Sequence, residues 1–290
     1  MILRPFEYVE CRTVGDAVAA LERGGGDARI IAGGTALVPL MKHQVLRPSL
    51  LVSIANVPGL ADIDAAGEGG VRVGSVATHW AVSHSALVRE QSPLLARACQ
   101  RVASPAVRSM GTLGGNLCYG ESASDPSPAL LALRATLRLH GPAGERTVPI
   151  TEFFTGFYET ALAEAEILTA VDVPATPAGA HWRYLKWTPR AQEDKALVGL
   201  AAMLVLDGRR CRLARLGLGG VAASPSVLAR AEQALEGREL DDATIARAAD
   251  VAAAEVEPIE DLQGSAEYRR DMLRVWVRRV VSGLAAEGSR

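Results

Sequence analysis

Through the first 175 residues, short apolar runs alternate with stretches of helical spacing. Arg29–Ala32, Leu50–Ile54 and Val71–Val76 read as short buried strands. Between the first two, Thr35–Val45 places Leu37, Leu40 and Met41 on one side of a helix. Pro93–Val102 predicts a further helix and Ala129–Leu133 a short one. Strands are expected at Ala135–His140, Arg146–Pro149 and Ile167–Val173. Strands and helices mixed in this order predict α+β units, with no internal repeat.

The segment Pro174–Ala180 (PATPAGA) has two prolines, small residues and no charge, and reads as a linker. Beyond it, strands are predicted at Trp182–Lys186, Val198–Asp207 and Arg210–Leu218, with a tight turn at Asp207–Gly208. Helices follow at Ser226–Leu235, Asp242–Ala254 and Ala266–Leu284. Ser224–Pro225 precedes the first, and Asp241 is a fair N-cap for the second. The change of pattern divides the chain into a first domain over 1–175 and a C-terminal α+β domain over 181–290.

Composition narrows the class of protein. The 290 residues are 49% hydrophobic and 22% charged, with a net charge of −2. That is enough apolar material for two cores, and no block of like charge suggests a nucleic-acid or membrane surface. The four cysteines, Cys11, Cys99, Cys118 and Cys211, form no C-x-x-C pair, so neither disulfides nor a metal site is expected, in keeping with a reducing compartment. The N-terminal MILRPFEYVE has no apolar core of a signal peptide, and no run of eighteen or more apolar residues occurs. The expectation is a cytoplasmic protein with no transmembrane segment.

Candidate chemistry sits in two glycine clusters. The first, Ala32-Gly33-Gly34-Thr35, lies directly between a predicted strand and a predicted helix. The second is Gly111-Thr112-Leu113-Gly114-Gly115-Asn116. Glycine lets a backbone approach a ligand closely, and amides at a helix start lack internal acceptors that phosphate oxygens can replace. Two such loops facing each other would enclose a pyrophosphate; a plain tight turn is the alternative for each. Neither loop matches G-x-G-x-x-G after a strand or G-x-x-x-x-G-K-[ST], so the common nucleotide-binding folds have little support.

Ser124 and Asp125 follow where a loop meets a helix. They suit either an N-cap before Pro126 or bonds to the hydroxyls of a sugar or ribityl chain. Lys186, Arg190 and Asp194 are spaced by four, and with Pro189 between them they read as a solvated charge cluster. The histidines, His43, His79, His84, His140 and His181, are not paired at a suggestive spacing and read as surface or packing residues. No acid–base pair, nucleophile or other catalytic residue is expected.

These motifs resemble a known family, the FAD-binding medium subunits of the molybdenum hydroxylases, which include the carbon monoxide dehydrogenase medium subunit and the xanthine dehydrogenase FAD domain. The markers are AGGTALVPLMK (Ala32–Lys42), TLGGNL (Thr112–Leu117), SDPSPALLAL (Ser124–Leu133), FFTGFYETALAEAEIL (Phe153–Leu168) and the set Lys186, Arg190, Asp194, Ala196, Val198. The resemblance implies an α+β fold: a two-subdomain FAD-binding domain of the PCMH type, divided at about 1–57 and 58–175, then an α+β domain of the CO dehydrogenase flavoprotein type. It implies that Ala32, Gly33, Gly34, Thr35, Gly111, Thr112, Gly114 and Gly115 hold the FAD pyrophosphate through backbone N–H groups. Asn116, Ser124 and Asp125 fall near the phosphates and ribityl hydroxyls, Leu168 packs the flavin ring, and Lys186 sits near its polar edge.

The same resemblance implies partners. A large subunit would carry the molybdenum cofactor and hydroxylate the substrate. A small one would carry two [2Fe–2S] clusters that feed electrons to FAD, and two such heterotrimers would pair. FAD would then pass electrons to an external acceptor. Two departures stand out. Lys195 replaces an aromatic or aliphatic residue often found in relatives against the flavin, and Asp125 follows Cys118 within seven residues, too few for an inserted iron–sulfur loop. A self-sufficient FAD oxidase and a non-catalytic scaffold with the same fold are the alternative functions.

Overall fold

The computed structural model describes residues 3–191 and 193–288. The chain opens with β1 (Glu7–Glu10), α1 (Val14–Gly24), β2 (Ala28–Ile31), α2 (Leu37–Lys42) and β3 (Leu50–Ser53). These strands form a three-stranded parallel sheet in the order β1-β3-β2, with Leu50 opposite both Glu7 and Ala28. All four residues of β3 are buried, as a central parallel strand requires. Helix α1 starts on a capping box in which Thr13 and Asp16 satisfy each other's amides, and it buries Ala17, Val18 and Leu21.

Next come β4 (Ile63–Ala65), β5 (Val71–Gly74), α3 (His79–His84), α4 (Ala86–Gln91), α5 (Pro93–Gln100), α6 (Pro105–Met110), α7 (Leu113–Tyr119) and α8 (Pro126–Leu133). Then follow β6 (Thr136–Gly141), β7 (Gly144–Pro149), α9 (Ile150–Phe153), β8 (Phe154–Gly156), β9 (Glu159–Thr160) and β10 (Ile167–Val173). Strands β4-β5-β10-β6-β7 form an antiparallel sheet in that order, while β8 and β9 make a separate hairpin. Alternate residues of β6 are buried, with Leu137 and Leu139 pointing into a core shared with α5, α7 and α8.

The last part contains β11 (Ala180–Trp187), β12 (Val198–Asp207), β13 (Arg210–Gly219), β14 (Ser226–Val227), α10 (Ala229–Leu235), α11 (Asp242–Ala254) and α12 (Ala266–Gly288). Its antiparallel sheet β11-β12-β13-β14 is covered on one face by the three helices, which bury Leu235, Ile245, Leu273 and Val277 against Leu200, Leu204 and Leu216. The other face meets the preceding part, where Tyr184, Ala201 and Met203 join the core around α8. Every residue of α8 is buried. A Cβ at Gly217 would lie 2.0 Å from the Pro128 carbonyl oxygen, so that glycine lets the helix lie directly on β13.

Several expectations shift. The helix expected over 35–45 spans only Leu37–Lys42, because Thr35 and Ala36 stay outside it in the first glycine turn. The helix expected from Ser226 begins at Ala229, since Ser226 and Val227 pair with Leu218 and Gly217 as β14. Asp241 does cap its helix, accepting from the Thr244 amide at 2.7 Å. Helices α1, α3, α4, α6 and α7 were not predicted; three of them have only six residues, too few for a clear apolar period.

Candidate functional site

Both glycine clusters border one cleft of about 700 Å³, a volume in the usual range for cofactor sites. Its wall includes Ala32, Gly33, Gly34, Thr35, Thr112, Gly114, Gly115, Asn116 and Leu168. Ile30, Ile54, Leu40, Leu46 and Ile167 add an apolar lining.

The loops touch. A Cβ on Gly33 would stand 1.8 Å from the Met110 carbonyl oxygen and 3.1 Å from the Gly111 Cα. Only glycine permits that approach. Gly34 has φ +68°, which turns the chain from β2 toward α2. Among the described residues, the N–H groups of Gly33, Gly34, Thr35 and Ala36 have no backbone or side-chain acceptor. Four successive open amides on a cleft wall are a cradle for an anion.

The second loop works differently, and this corrects the expectation of open amides at its glycines. The amides of Leu113 and Gly114 donate to the carbonyls of Ala77 and Ser75 at 2.9 and 2.8 Å, and the Gly115 amide donates to Thr112 Oγ1 at 3.1 Å. A Cβ on Gly114 would lie 2.5 Å from Ser75 Cβ, so this glycine serves the packing of α7 on the residues after β5. Gly111 does not line the cleft. Its amide donates to Val107 O, and its carbonyl accepts from the His79 amide. What this loop offers a ligand is the Thr112 amide, which has no acceptor among the described residues, the Thr112 hydroxyl and the Asn116 side chain.

Ser124, Asp125 and Lys186 also lie off the cleft wall. Ser124 Oγ donates to Asn116 Oδ1 at 2.6 Å and accepts from Ser127 Oγ at 2.7 Å. It therefore fixes the Asn116 amide from behind. Asp125 stands at the N-cap position of α8 but makes no capping bond, having helical φ and ψ. Its carboxylate instead accepts from Tyr184 Oη at 2.7 Å and Lys186 Nζ at 2.8 Å. Lys186 is no member of a solvated cluster: its side chain is 2% exposed, and Nζ also donates to the Arg101 carbonyl. Burial pushes the Asp125 carboxyl above the ordinary range, against the pull of Lys186, and pushes the Tyr184 phenol up as well. This pair joins the start of α8 to β11.

Leu168 sits at a register shift in β10 between Leu168 and Ala170, where a bulge redirects side chains onto the cleft. At the mouth, Tyr119 and Tyr158 lie with ring centroids 5.0 Å apart, and Tyr158 Oη donates to Glu121 Oε2 at 2.7 Å. Lys195, the departure noted in the sequence, also pairs with Glu121 Oε2. Glu166 borders the cleft, and hydrogen bonds from Arg146 at 2.6 and 2.7 Å lower its carboxyl pKa.

Ser75 and His79 were missed. Both line the cleft and both are buried, and among the described residues Ser75 Oγ and His79 Nδ1, themselves closed off from solvent, have no hydrogen-bond partner. Burial, reinforced by the charge of Arg108, pulls the His79 pKa down to about 4 and keeps the ring neutral. Nothing in V-G-S-V-A-T-H-W marks these two as cleft residues, since the segment carries no glycine turn facing the site. The local signal was Thr78, which caps α3 through the Ala81 amide at 3.1 Å. Among the described residues, no group of three His, Cys, Asp or Glu is placed to hold a metal.

A cleft with an amide cradle at a strand–helix turn, a second loop packed against it and an apolar lining defines a nucleotide-cofactor site. Residues 4–176 match the family described as the FAD binding domain in molybdopterin dehydrogenase, and residues 183–284 match the CO dehydrogenase flavoprotein C-terminal domain. The chain belongs to this family of FAD-binding subunits.

Its relatives include the carbon monoxide dehydrogenase medium chain of Hydrogenophaga pseudoflava, 36% identical over 97% of this chain and 98% of the relative. The xanthine dehydrogenase FAD-binding subunit of Escherichia coli O157:H7 is 30% identical over 98% and 97%. Among solved structures, a chain of the Hydrogenophaga pseudoflava carbon monoxide dehydrogenase lacking the Mo-pyranopterin moiety superposes with a TM-score of 0.95 at 37% identity, over 99% of both chains. The family expected from the sequence and its α+β fold are thus borne out.

The residues present fit FAD. The open amides of Gly33–Ala36 suit its pyrophosphate, and no Cβ fits between the loops at Gly33.

Proposed function

We propose that this chain is the FAD-carrying electron-transfer subunit of a three-subunit molybdenum hydroxylase. A large subunit holds the molybdenum cofactor and a small subunit holds two [2Fe–2S] clusters. FAD held in this cleft would supply the exchange of electrons, singly from the clusters and in pairs to an external acceptor.

The protein's own residues bind and orient that cofactor. The amides of Gly33, Gly34, Thr35 and Ala36 take the pyrophosphate charge, and Thr112 and Asn116 add side-chain contacts. Ser124 steers the Asn116 amide by holding its oxygen, which leaves the NH₂ group for the cleft. Leu168, beside the register shift in β10 and on the cleft wall, would give the ring an apolar contact. The Asp125–Lys186 pair acts at one remove, locking α8 and β11 behind Asn116. The domain division goes with this reading: residues 1–175, in subdomains of about 1–57 and 58–175, enclose the cofactor, and residues 181–290 form the flavoprotein C-terminal domain.

The observation that carries the proposal is the run of open amides on a 700 Å³ cleft in a member of this family. Relatives named for carbon monoxide and for xanthine match over nearly their full length, which supports placing substrate choice on another subunit. No helix among the described residues is long and apolar enough to cross a membrane, in keeping with work in the cytoplasm. Two heterotrimers pair in the complete enzyme.

The test is purification from the native host through a tag on this chain. A flavin spectrum, FAD identified by mass after denaturation, and a large and a small companion chain carrying molybdenum and iron are expected. FAD without companions would replace the proposal with a self-sufficient oxidase. No flavin after reconstitution would leave a scaffold.

A further inference from the structure

We infer that Arg108 is a positioning residue for the cofactor: its guanidinium clamps the turn at Val102–Ala103 and so holds the Val102 side chain on the cleft wall as an apolar contact for the bound dinucleotide. The inference rests on the FAD reading of the cleft.

The turn joins α5 to α6. Helix α6 has six residues, none of them buried, so its own packing anchors it weakly. Yet Val102 and Val107, one before the helix and one within it, both border the cleft. Polar bonds supply the anchoring. Arg108 Nη1 donates to the Val102 carbonyl and to the Ala103 carbonyl, both at 2.7 Å. Lys186 Nζ donates to the carbonyl just before them, on Arg101, at 3.0 Å. Three successive carbonyls are thus held by two cations, and hydrogen bonds from charged donors are the strong kind.

The clamp also holds a strained residue. Ala103 has φ +34°, in the left-handed region that a residue with a side chain rarely adopts. Such a conformation persists only where its surroundings enforce it, and the Arg108 bonds fall on Ala103 itself and on the residue before it. Relaxation of Ala103 to negative φ would swing Val102 relative to α6. Val102 is the residue with most to lose, being 7% exposed and on the cleft wall. Arg108 does not border the cleft, and among the described residues it donates to these carbonyls and pairs with no carboxylate. Its role therefore lies in the turn rather than in an ion pair or a direct contact with the ligand.

The full chain, stripped of cofactor, tests this by FAD titration followed through flavin fluorescence. Val102→Ala removes two methyl groups from the wall and is expected to raise the FAD Kd about five- to tenfold. Arg108→Met is expected to raise it to a similar extent, because the same contact is lost. Two double variants separate positioning from a general structural or charge effect. In Val102→Ala with Arg108→Met the Kd should stay near that of either single variant, since the clamp acts through a side chain already removed. In Ala103→Gly with Arg108→Met it should return to within about threefold of wild type, since glycine takes the left-handed turn unaided. Ala103→Val leaves Arg108 in place but resists positive φ; it should weaken binding about tenfold, and it reads the same turn where Arg108→Met does not fold. Losses that multiply in the Val102 pair, or no recovery with Ala103→Gly, would overturn the inference. So would wild-type affinity in Arg108→Met or in Ala103→Val. Failure of the wild-type chain itself to bind FAD would instead overturn the reading of the whole cleft.

Discussion

Gly33→Ala is the sharpest probe of the site, because the structure says what the added methyl meets. The new Cβ would lie 1.8 Å from the Met110 carbonyl oxygen and 2.7 Å from its carbon. An ordinary contact needs roughly 3.3–3.5 Å, so the loops must part by about 1.5 Å. Neither side yields easily: Gly111, next to Met110, is tied to Val107 and His79, and Ile31 is paired with Ser53 in β3. Overpacking of this kind costs about 1–3 kcal/mol, which lowers the melting temperature by roughly 2–4 °C per kcal/mol in a chain of this size.

The larger effect falls on the ligand. A hydrogen bond from an amide to an ionised phosphate oxygen contributes about 1.5–3 kcal/mol, and losing one of the four at Gly33–Ala36 weakens binding roughly ten- to hundred-fold. The assay is FAD retained per chain after gel filtration, together with a titrated Kd. Gly25→Ala is the control, a positive-φ glycine with nothing within 4 Å of its Cβ position. The control should lose about 1 kcal/mol of stability and no affinity. Wild-type FAD affinity in Gly33→Ala would refute the claim that the first loop's backbone holds the pyrophosphate. Gly114 offers no equally clean test, since a side chain there collides with Ser75.

Other expectations follow from the same geometry. Lys186→Met leaves Asp125 buried without its cation and should destabilise the chain by about 3–5 kcal/mol in chemical denaturation, while Asp125→Asn with Lys186→Met recovers much of the loss. His79 is held neutral to about pH 4, whereas the unfolded chain takes up its proton near pH 6.5. The unfolded state therefore binds more protons between those values, and the apo protein loses about 3 kcal/mol as pH falls from 6.5 to 4. His79→Leu should flatten that part of the stability–pH curve, and an unchanged slope would contradict the burial of the ring. The Cys118 thiol, pushed up to about 12 by burial, should resist alkylation at pH 8 in the folded chain and react only on unfolding.

The first glycine loop, the central strands and the long C-terminal elements were legible because each depends on neighbours in sequence. Ala32–Thr35 follows a strand and turns at a glycine with positive φ, and the burial of Leu50–Ser53 and Val198–Leu204 reads directly from apolar runs. The motifs in order also carried the family. Asp241 and its helix were visible for the same reason, a cap and the amide it serves being three residues apart.

The pairings across long separations were not. Asp125 reads as a helix cap from its neighbours, yet its partners are Tyr184 and Lys186, which arrive on a strand from another sheet. Lys186 reads as solvated because Arg190 and Asp194 follow it at intervals of four, and it is buried because β11 packs against α5 and brings its ammonium to Asp125 and the Arg101 carbonyl. The second glycine loop matches a phosphate cradle by composition, but whether its amides are free depends on carbonyls some 37 residues earlier, at Ser75 and Ala77. The sequence by itself thus determined the longer strands and the first glycine turn, which rest on local backbone chemistry, while the class of cofactor came from the resemblance of its ordered motifs to a known family. Only the tertiary structure decided which polar groups face the cleft and which are consumed inside the protein, because a hydrogen bond is satisfied by proximity in space and leaves no periodicity along the chain.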